Sequence, residues 1–229
     1  MTDNRTHITV ILDRTGSMEA IRDDTIGGYN AFLESQRQEP GTATMTLVQF
    51  DSGDPYEVIH QFTPLDNVPQ LTRETYVPRA STPLLDAMGR GVNDLEQQLA
   101  SLEDAGKPSR VLFVIVTDGQ ENASREFRRD QIVEMIRRKK DEDGWQFVFL
   151  SADMNSVDDA VAYGFDRGAV MTYDKTGQGA GDAWDSLHTR IADVRTGRRR
   201  GVTFTDKDRD RHTAERQRRR RPGRDRPTR

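Results

Sequence analysis

The chain has 229 residues and no cysteine, a length that suits one domain with a tail or two small domains and a composition that excludes disulfides and thiolate metal sites. The net charge of −4 divides unevenly: residues 1–194 carry 19 Lys+Arg against 33 Asp+Glu, and residues 195–229 carry 15 against 5, so a basic end follows an acidic body. The first ten residues, MTDNRTHITV, lack the basic-then-apolar order of a secretion signal, and the longest apolar run, 111–116, is far below the ~20 residues of a membrane helix; a cytoplasmic protein without membrane contact is expected.

Residues 8–12 (ITVIL) are apolar and mostly β-branched and break at Asp13 and Gly16. This predicts a buried strand ending in a loop. A helix follows over about 17–38, with Met18, Ile21, Thr25, Tyr29, Phe32 and Leu33 on one face. Gly27 and Gly28 each weaken it by ~1 kcal/mol relative to alanine, and close packing on a sheet would account for them. Residues 44–50 and 56–62 read as strands, and the short link 51–55 between them implies a hairpin and so one antiparallel strand. Residues 67–80 are irregular. Leu85, Met88, Val92, Leu95, Leu99 and Leu102 repeat at three and four, the stripe of a helix.

Residues 111–116 form a central buried strand closed by Thr117-Asp118-Gly119. A helix over 126–140, a strand over 146–150, a short helix over 157–163 and a strand over 169–172 follow, and Ala183, Trp184, Leu187, Ile191 and Val194 mark the last helix. The alternation predicts an α/β fold: a doubly wound, Rossmann-like six-stranded sheet, mostly parallel, with one antiparallel edge strand and helices on both faces. After Gly197 the pattern stops among Arg198–Arg200, Arg216 and Arg218–Arg221, with too few apolar residues to offset the entropy of ordering. The expected organisation is a domain over 1–196 and a disordered arginine-rich tail over 197–229, with at most a weak helix near 206–220.

Two strand ends carry chemistry. In the strand order 3-2-1-4-5-6, strands one and four are neighbours whose connections leave on opposite faces, which opens a crevice at their carboxyl ends. Asp13 and Asp118 therefore come together, and two carboxylates this close repel unless a positive charge sits between them. Thr15 and Ser17 alternate with Asp13, so their hydroxyls can face the same point, and Gly16 lets the loop turn tightly. Carboxylates and hydroxyls are hard ligands that suit Mg²⁺, Mn²⁺ or Ca²⁺ rather than zinc. His7, His60, His188 and His212 are scattered. Each motif also has a plainer reading: Ser17 as a helix cap, Asp13 and Asp86 as charges favouring a helix dipole, and Ser81-Thr82-Pro83 as an ordinary helix start. Glu121 and Asn122 either touch a partner or lie on a solvated loop, and Asp51, Asp153 and Asn155 stand near strand ends where they can shape the rim.

Taken together, Asp13-x-Thr15-x-Ser17 after a buried strand, Ser81-Thr82-Pro83-Leu84 opening a helix and Thr117-Asp118-Gly119 after another strand resemble the metal-ion-dependent adhesion site of von Willebrand factor A (VWA) domains. The resemblance covers about 7–194 and looks closest to bacterial stand-alone VWA proteins, which are similar in the stretches 21–28 and 117–124. It implies that Thr15 and Ser17 bind the metal directly and Thr82 directly or through water. Asp13 and Asp118 act partly through bridging waters, and one position stays open for a partner's carboxylate. Thr15 stands where serine is commoner, with the hydroxyl kept. The implied function is a metal-dependent protein-binding module that captures an acidic side chain of a partner. Adaptor work with an AAA+ ATPase, or in a stress or phage-related assembly, is the alternative for such single domains.

Catalysis is not expected. Haloacid-dehalogenase-like phosphatases begin strand–Asp–x–Asp, and Thr15 here removes the second acid. The lysine they need near a later strand is absent from the correct end, because Lys107 precedes the fourth strand rather than following it, and there is no Gly-x-x-x-x-Gly-Lys phosphate loop. The arginine-rich tail offers phosphate contacts for nucleic acid, but it can equally fold onto the acidic body or remain a solvated end, the usual state of a charge run. No aromatic residue follows Phe204, so stacking on bases is not available there.

Overall fold

Thr6–Asp13 forms strand β1 with all eight residues buried. A strand covered on both faces has no solvent side, which is why its sequence runs apolar instead of alternating with charge. β2 (Ala43–Phe50) and β4 (Arg110–Thr117) flank it and are buried along nearly their whole length. β3 (Glu57–Pro64), β5 (Gln146–Ser151) and β6 (Val170–Thr172) complete a six-stranded sheet in the order β3-β2-β1-β4-β5-β6. All neighbours are parallel except β2 and β3. The antiparallel strand therefore lies on an edge, as the short 51–55 link predicts. The computed structural model describes residues 5–153 and 156–209.

Successive side chains of a strand point to opposite faces. Ile8, Val10 and Leu12 enter one core with Tyr29, Phe32, Leu33, Trp184, Leu187 and Ile191. Ile11, Phe113 and Ile115 enter the other with Met88, Val92, Leu95, Ile132 and Ile136. The first core is closed by α1 (Arg22–Arg37) and α5 (Gly177–Arg195), the second by α2 (Leu84–Ser101), α3 (Arg129–Asp143) and the short α4 (Ser156–Ala162). Among the described residues no helix is long and apolar enough to cross a membrane.

Four expectations change. The helix expected over 17–38 begins as a 3₁₀ segment, Gly16–Ile21, and becomes α-helical only at Arg22. Of its two glycines only Gly28 is explained by packing, and the partner is a helix rather than the sheet: a Cβ at Gly28 would lie 2.0 Å from the Trp184 indole, whereas one at Gly27 would meet nothing within 4 Å. The helix expected from 126 starts at Arg129 with Arg128 as its N-cap, and the amides of Arg125, Glu126 and Phe127 just before it donate to the Asp86 carboxylate.

The tail does not leave the body at 197. Val202 and Phe204 are buried in the first core, the Phe204 amide donates to the Gly168 carbonyl at 2.8 Å, and Arg209 Nη1 donates to the Val170 carbonyl at 2.8 Å. These two buried apolar residues and the backbone contacts of Phe204 and Arg209 hold the segment beside the β6 edge. Residues 1–4, 154–155 and 210–229 lie outside the described residues, and with them Asn155, His212, Arg216, Arg218–Arg221 and most of the helix expected near 206–220.

Candidate metal centre

β1 and β4 run in register, with Leu12 opposite Val116. Asp13 and Thr117 therefore leave the sheet side by side. Thr117 Oγ1 donates to Asp13 Oδ2 at 2.6 Å, and the Thr15 amide donates to Asp13 Oδ1 at 2.7 Å. Burial pushes the Asp13 carboxyl up to about 6, against these hydrogen bonds and with a smaller upward push from Asp118. Tyr76, from the irregular 67–80 stretch, is buried beneath and donates its hydroxyl to the Asp13 carbonyl at 2.5 Å.

The turn after Asp13 brings Thr15 Oγ1 to 3.2 Å from Ser17 Oγ, and Ser17 Oγ donates to Asp118 Oδ1 at 2.5 Å. A Cβ on Gly119 would stand 3.6 Å from both Ser17 Oγ and Thr82 Oγ1, so these hydroxyls flank one point of backbone. Asp13, Thr15, Ser17, Thr82 and Asp118 are thus brought together from three segments at the carboxyl end of the sheet. Thr82 is held by Asn122, whose Oδ1 accepts the Thr82 amide at 2.8 Å and whose amide donates to the Thr82 carbonyl at 3.1 Å. The segment before Thr82 is laced to the first loop: Arg79 N to Arg14 O at 2.8 Å, and Gly16 N to Ala80 O at 3.0 Å.

The remaining acidic residues have structural partners. Asp51 is buried and accepts from Arg14 Nε at 2.6 Å, Arg79 Nε at 2.9 Å and the amides of Gly53 and Asp54. Burial alone would raise its carboxyl, but these bonds bring it below the usual range. Asp86 accepts three backbone amides of 125–127, and so is neither aimed at the metal point nor merely a dipole charge. Glu121 accepts from the amides of Leu85, Ala123 and Ser124, which makes it a brace of the third loop rather than a solvated side chain. Asp153 accepts from Gln120 at the rim.

No protein-family model matches the sequence, and no curated protein matches it. Solved structures match in fold. A von Willebrand factor type A protein from Catenulispora acidiphila superposes with a TM-score of 0.57 at 10% identity, over 82% of this chain and 43% of that one. The chain has the VWA fold. Proximal thread matrix protein 1 from the mussel byssus, solved with zinc in its MIDAS motif, gives 0.59 at 12% identity over 84% and 47%. Manganese-loaded TRAP protein of Plasmodium vivax gives 0.54 at 12% identity over 82% and 72%. The chain spans less than half the length of the first two proteins.

On this VWA fold the donor set suits a divalent cation: two shielded carboxylates and three hydroxyls, with no imidazole or thiolate. Among the described residues there is no cluster of three or more His, Cys, Asp or Glu able to hold a metal, so hydroxyls must complete any coordination here. One participant escapes the sequence. Lys175, between β6 and α5, places Nζ 2.8 Å from Asp118 Oδ2. A lysine does reach the carboxyl end of the sheet, which corrects the expectation that none does. Its only sequence signal is a position just after the last strand.

Proposed function

We propose that this chain is a metal-dependent protein-binding module. Asp13, Thr15, Ser17, Thr82 and Asp118 hold a divalent cation, Mg²⁺ first and Mn²⁺ or Ca²⁺ as substitutes, and the site captures an acidic side chain of a partner protein. The reading is carried by one observation: Ser17 Oγ meets Asp118 Oδ1 at 2.5 Å across 101 residues of sequence. That contact joins the first and third loops at the point where Asp13 is buried beside them. When bound, the cation supplies positive charge between the carboxylates and a coordination position for an incoming carboxylate. The chain's own part is to aim the ligands. Thr117 and the Thr15 amide fix the rotamer of Asp13, Asn122 fixes Thr82, and Asp86 and Glu121 hold the third loop. The metal-loaded TRAP and mussel proteins support a divalent ion on this fold.

The proposal includes no catalysis. Asp13 is fully buried with both oxygens accepting hydrogen bonds, a poor nucleophile, and Thr15 supplies no acid or base at the next available position. It also places the protein in the cytoplasm, consistent with a chain that has no cysteine. Thermal unfolding in EDTA and in millimolar Mg²⁺, Mn²⁺ and Ca²⁺ tests the metal. A ligand at 100 times its Kd stabilises by about 2.7 kcal/mol, which at ~2–4 °C per kcal/mol is a rise of roughly 5–10 °C. The rise is expected in the native chain and not in Asp118→Ala. No rise with any cation, with or without added carboxylate, would overturn the reading; turnover of p-nitrophenyl phosphate would overturn the non-catalytic part.

A further inference from the structure

We propose that Lys175 is a tethered competitor for the cation: in the metal-free protein its ammonium neutralises Asp118, and a divalent ion takes the site by displacing it. The inference rests on the metal-binding reading above and assigns a residue that sets the affinity of that site.

The geometry around Asp118 carries it. The side chain is shielded from solvent and both oxygens are engaged, Oδ1 by Ser17 at 2.5 Å and Oδ2 by Lys175 at 2.8 Å. An incoming cation at Oδ2 would meet the lysine ammonium as a like charge on the same oxygen, so the two occupants repel and compete. The lysine is built to leave. Its side chain is 43% exposed, so the head can swing into water on its flexible four-carbon stem. The backbone need not follow. Thr176, the next residue, caps α5 by accepting the Gly179 amide at 3.0 Å and anchors the segment.

Asp51 supplies the contrast within the same molecule. It too is a shielded carboxylate, but two guanidiniums and two amides converge on it, and Arg14 among them is buried. That pairing is locked and structural. Asp118 instead has a single half-exposed ammonium, a replaceable counter-ion. Charge favours the replacement. With lysine in place the two carboxylates and one ammonium leave a net −1; a divalent ion brings the same carboxylates to zero. The displaced ammonium remains at the rim, where it attracts an approaching carboxylate.

Calorimetric titration of the full chain with Mn²⁺ and Mg²⁺ tests this, comparing the native protein, Lys175→Met, Lys175→Gln and Lys175→Arg, with Asp118→Ala as the empty-site control. Met and Gln are expected to tighten binding by about tenfold or more, equivalent to ~1.4 kcal/mol, and Arg to bind as the native chain does. A purely structural role makes a different forecast, so melting is the second readout. Met and Gln should melt below native in EDTA and level with it or above in saturating Mn²⁺. Equal or weaker binding by both variants of a metal that the native chain binds would overturn the competitor role and leave the metal reading intact. Binding by Met and Gln but not by native supports it in its strongest form. No binding by any of the proteins would overturn both readings together.

Discussion

His7 shows how a single residue on β1 ties the sheet to the pH of its surroundings. The imidazole is fully buried, stacks on Phe62 at 3.8 Å between ring centres, and shares a 2.8 Å hydrogen bond between Nδ1 and Thr44 Oγ1. Burial holds its pKa down at about 3, against an ordinary 6.5. The unfolded chain therefore takes up a proton below about 6.5 that the folded chain refuses until about 3. Stability from this group is fully present above 6.5 and is lost as pH falls through that window, at up to ~1.4 kcal/mol per pH unit. Denaturant unfolding of native and His7→Gln between pH 7 and 4 should give a steeper decline for the native protein; parallel curves would refute a neutral buried His7. Of the site residues, Asp13 and Asp118 are recognisable in the sequence because each ends an apolar run. Tyr76 and Lys175 are not, since a tyrosine or lysine in a loop has many ordinary uses.

At the scale of elements, α1 carries two adjacent glycines with opposite roles. Gly28 is where Trp184 of α5 seats its indole, 2.0 Å from any Cβ, with Tyr29 edge-on at 6.0 Å and Phe32 tilted at 5.6 Å. Gly27 faces open space. Gly28→Ala is expected to destabilise by about 1–3 kcal/mol through overpacking, while Gly27→Ala stabilises by ~0.5–1 kcal/mol by removing backbone freedom from the unfolded chain. Chemical denaturation of both variants checks the pair; shifts of the same sign would refute this assignment of the packing. Helix periodicity located α1 and α2, but the starts of α1 and α3 moved. The first is delayed because the loop after β1 continues as a 3₁₀ segment, the second because residues 125–127 turn their amides onto the Asp86 carboxylate before the helix begins. Local propensity does not register competition from a carboxylate about 40 residues away.

For the molecule as a whole, the boundary of the folded body is the main revision. Val202 and Phe204 lie beyond the expected end of the domain at 196 yet pack into the core formed by α1, α5 and the sheet. Asp208 closes the segment by accepting from the Thr205 amide at 2.6 Å and pairing with Arg190 at 3.1 Å. Truncation after 196 is expected to destabilise by about 3 kcal/mol or more, the loss typical of a buried aromatic, seen as a fall in melting temperature of at least ~6 °C. An unchanged melt would restore the boundary at 196.

The strands, their parallel order with one antiparallel edge, and the meeting of Asp13 with Asp118 are all legible in the sequence. These follow from local signals: apolar runs of strand length, helical repeats between them, and the short link that makes β3 antiparallel. Parallel strands joined by right-handed crossovers leave few ways to arrange such a pattern. Contacts made in the folded chain, by contrast, put Lys175 on Asp118, set Asp86 and Glu121 as braces of the third loop, lock Asp51 between two arginines, and bring Val202 and Phe204 into the core. Apart from the bonds of Glu121 to the Ala123 and Ser124 amides of its own loop, each is a contact between segments far apart in the chain. Its geometry depends on how two loops or edges meet in space, and no local periodicity encodes that meeting.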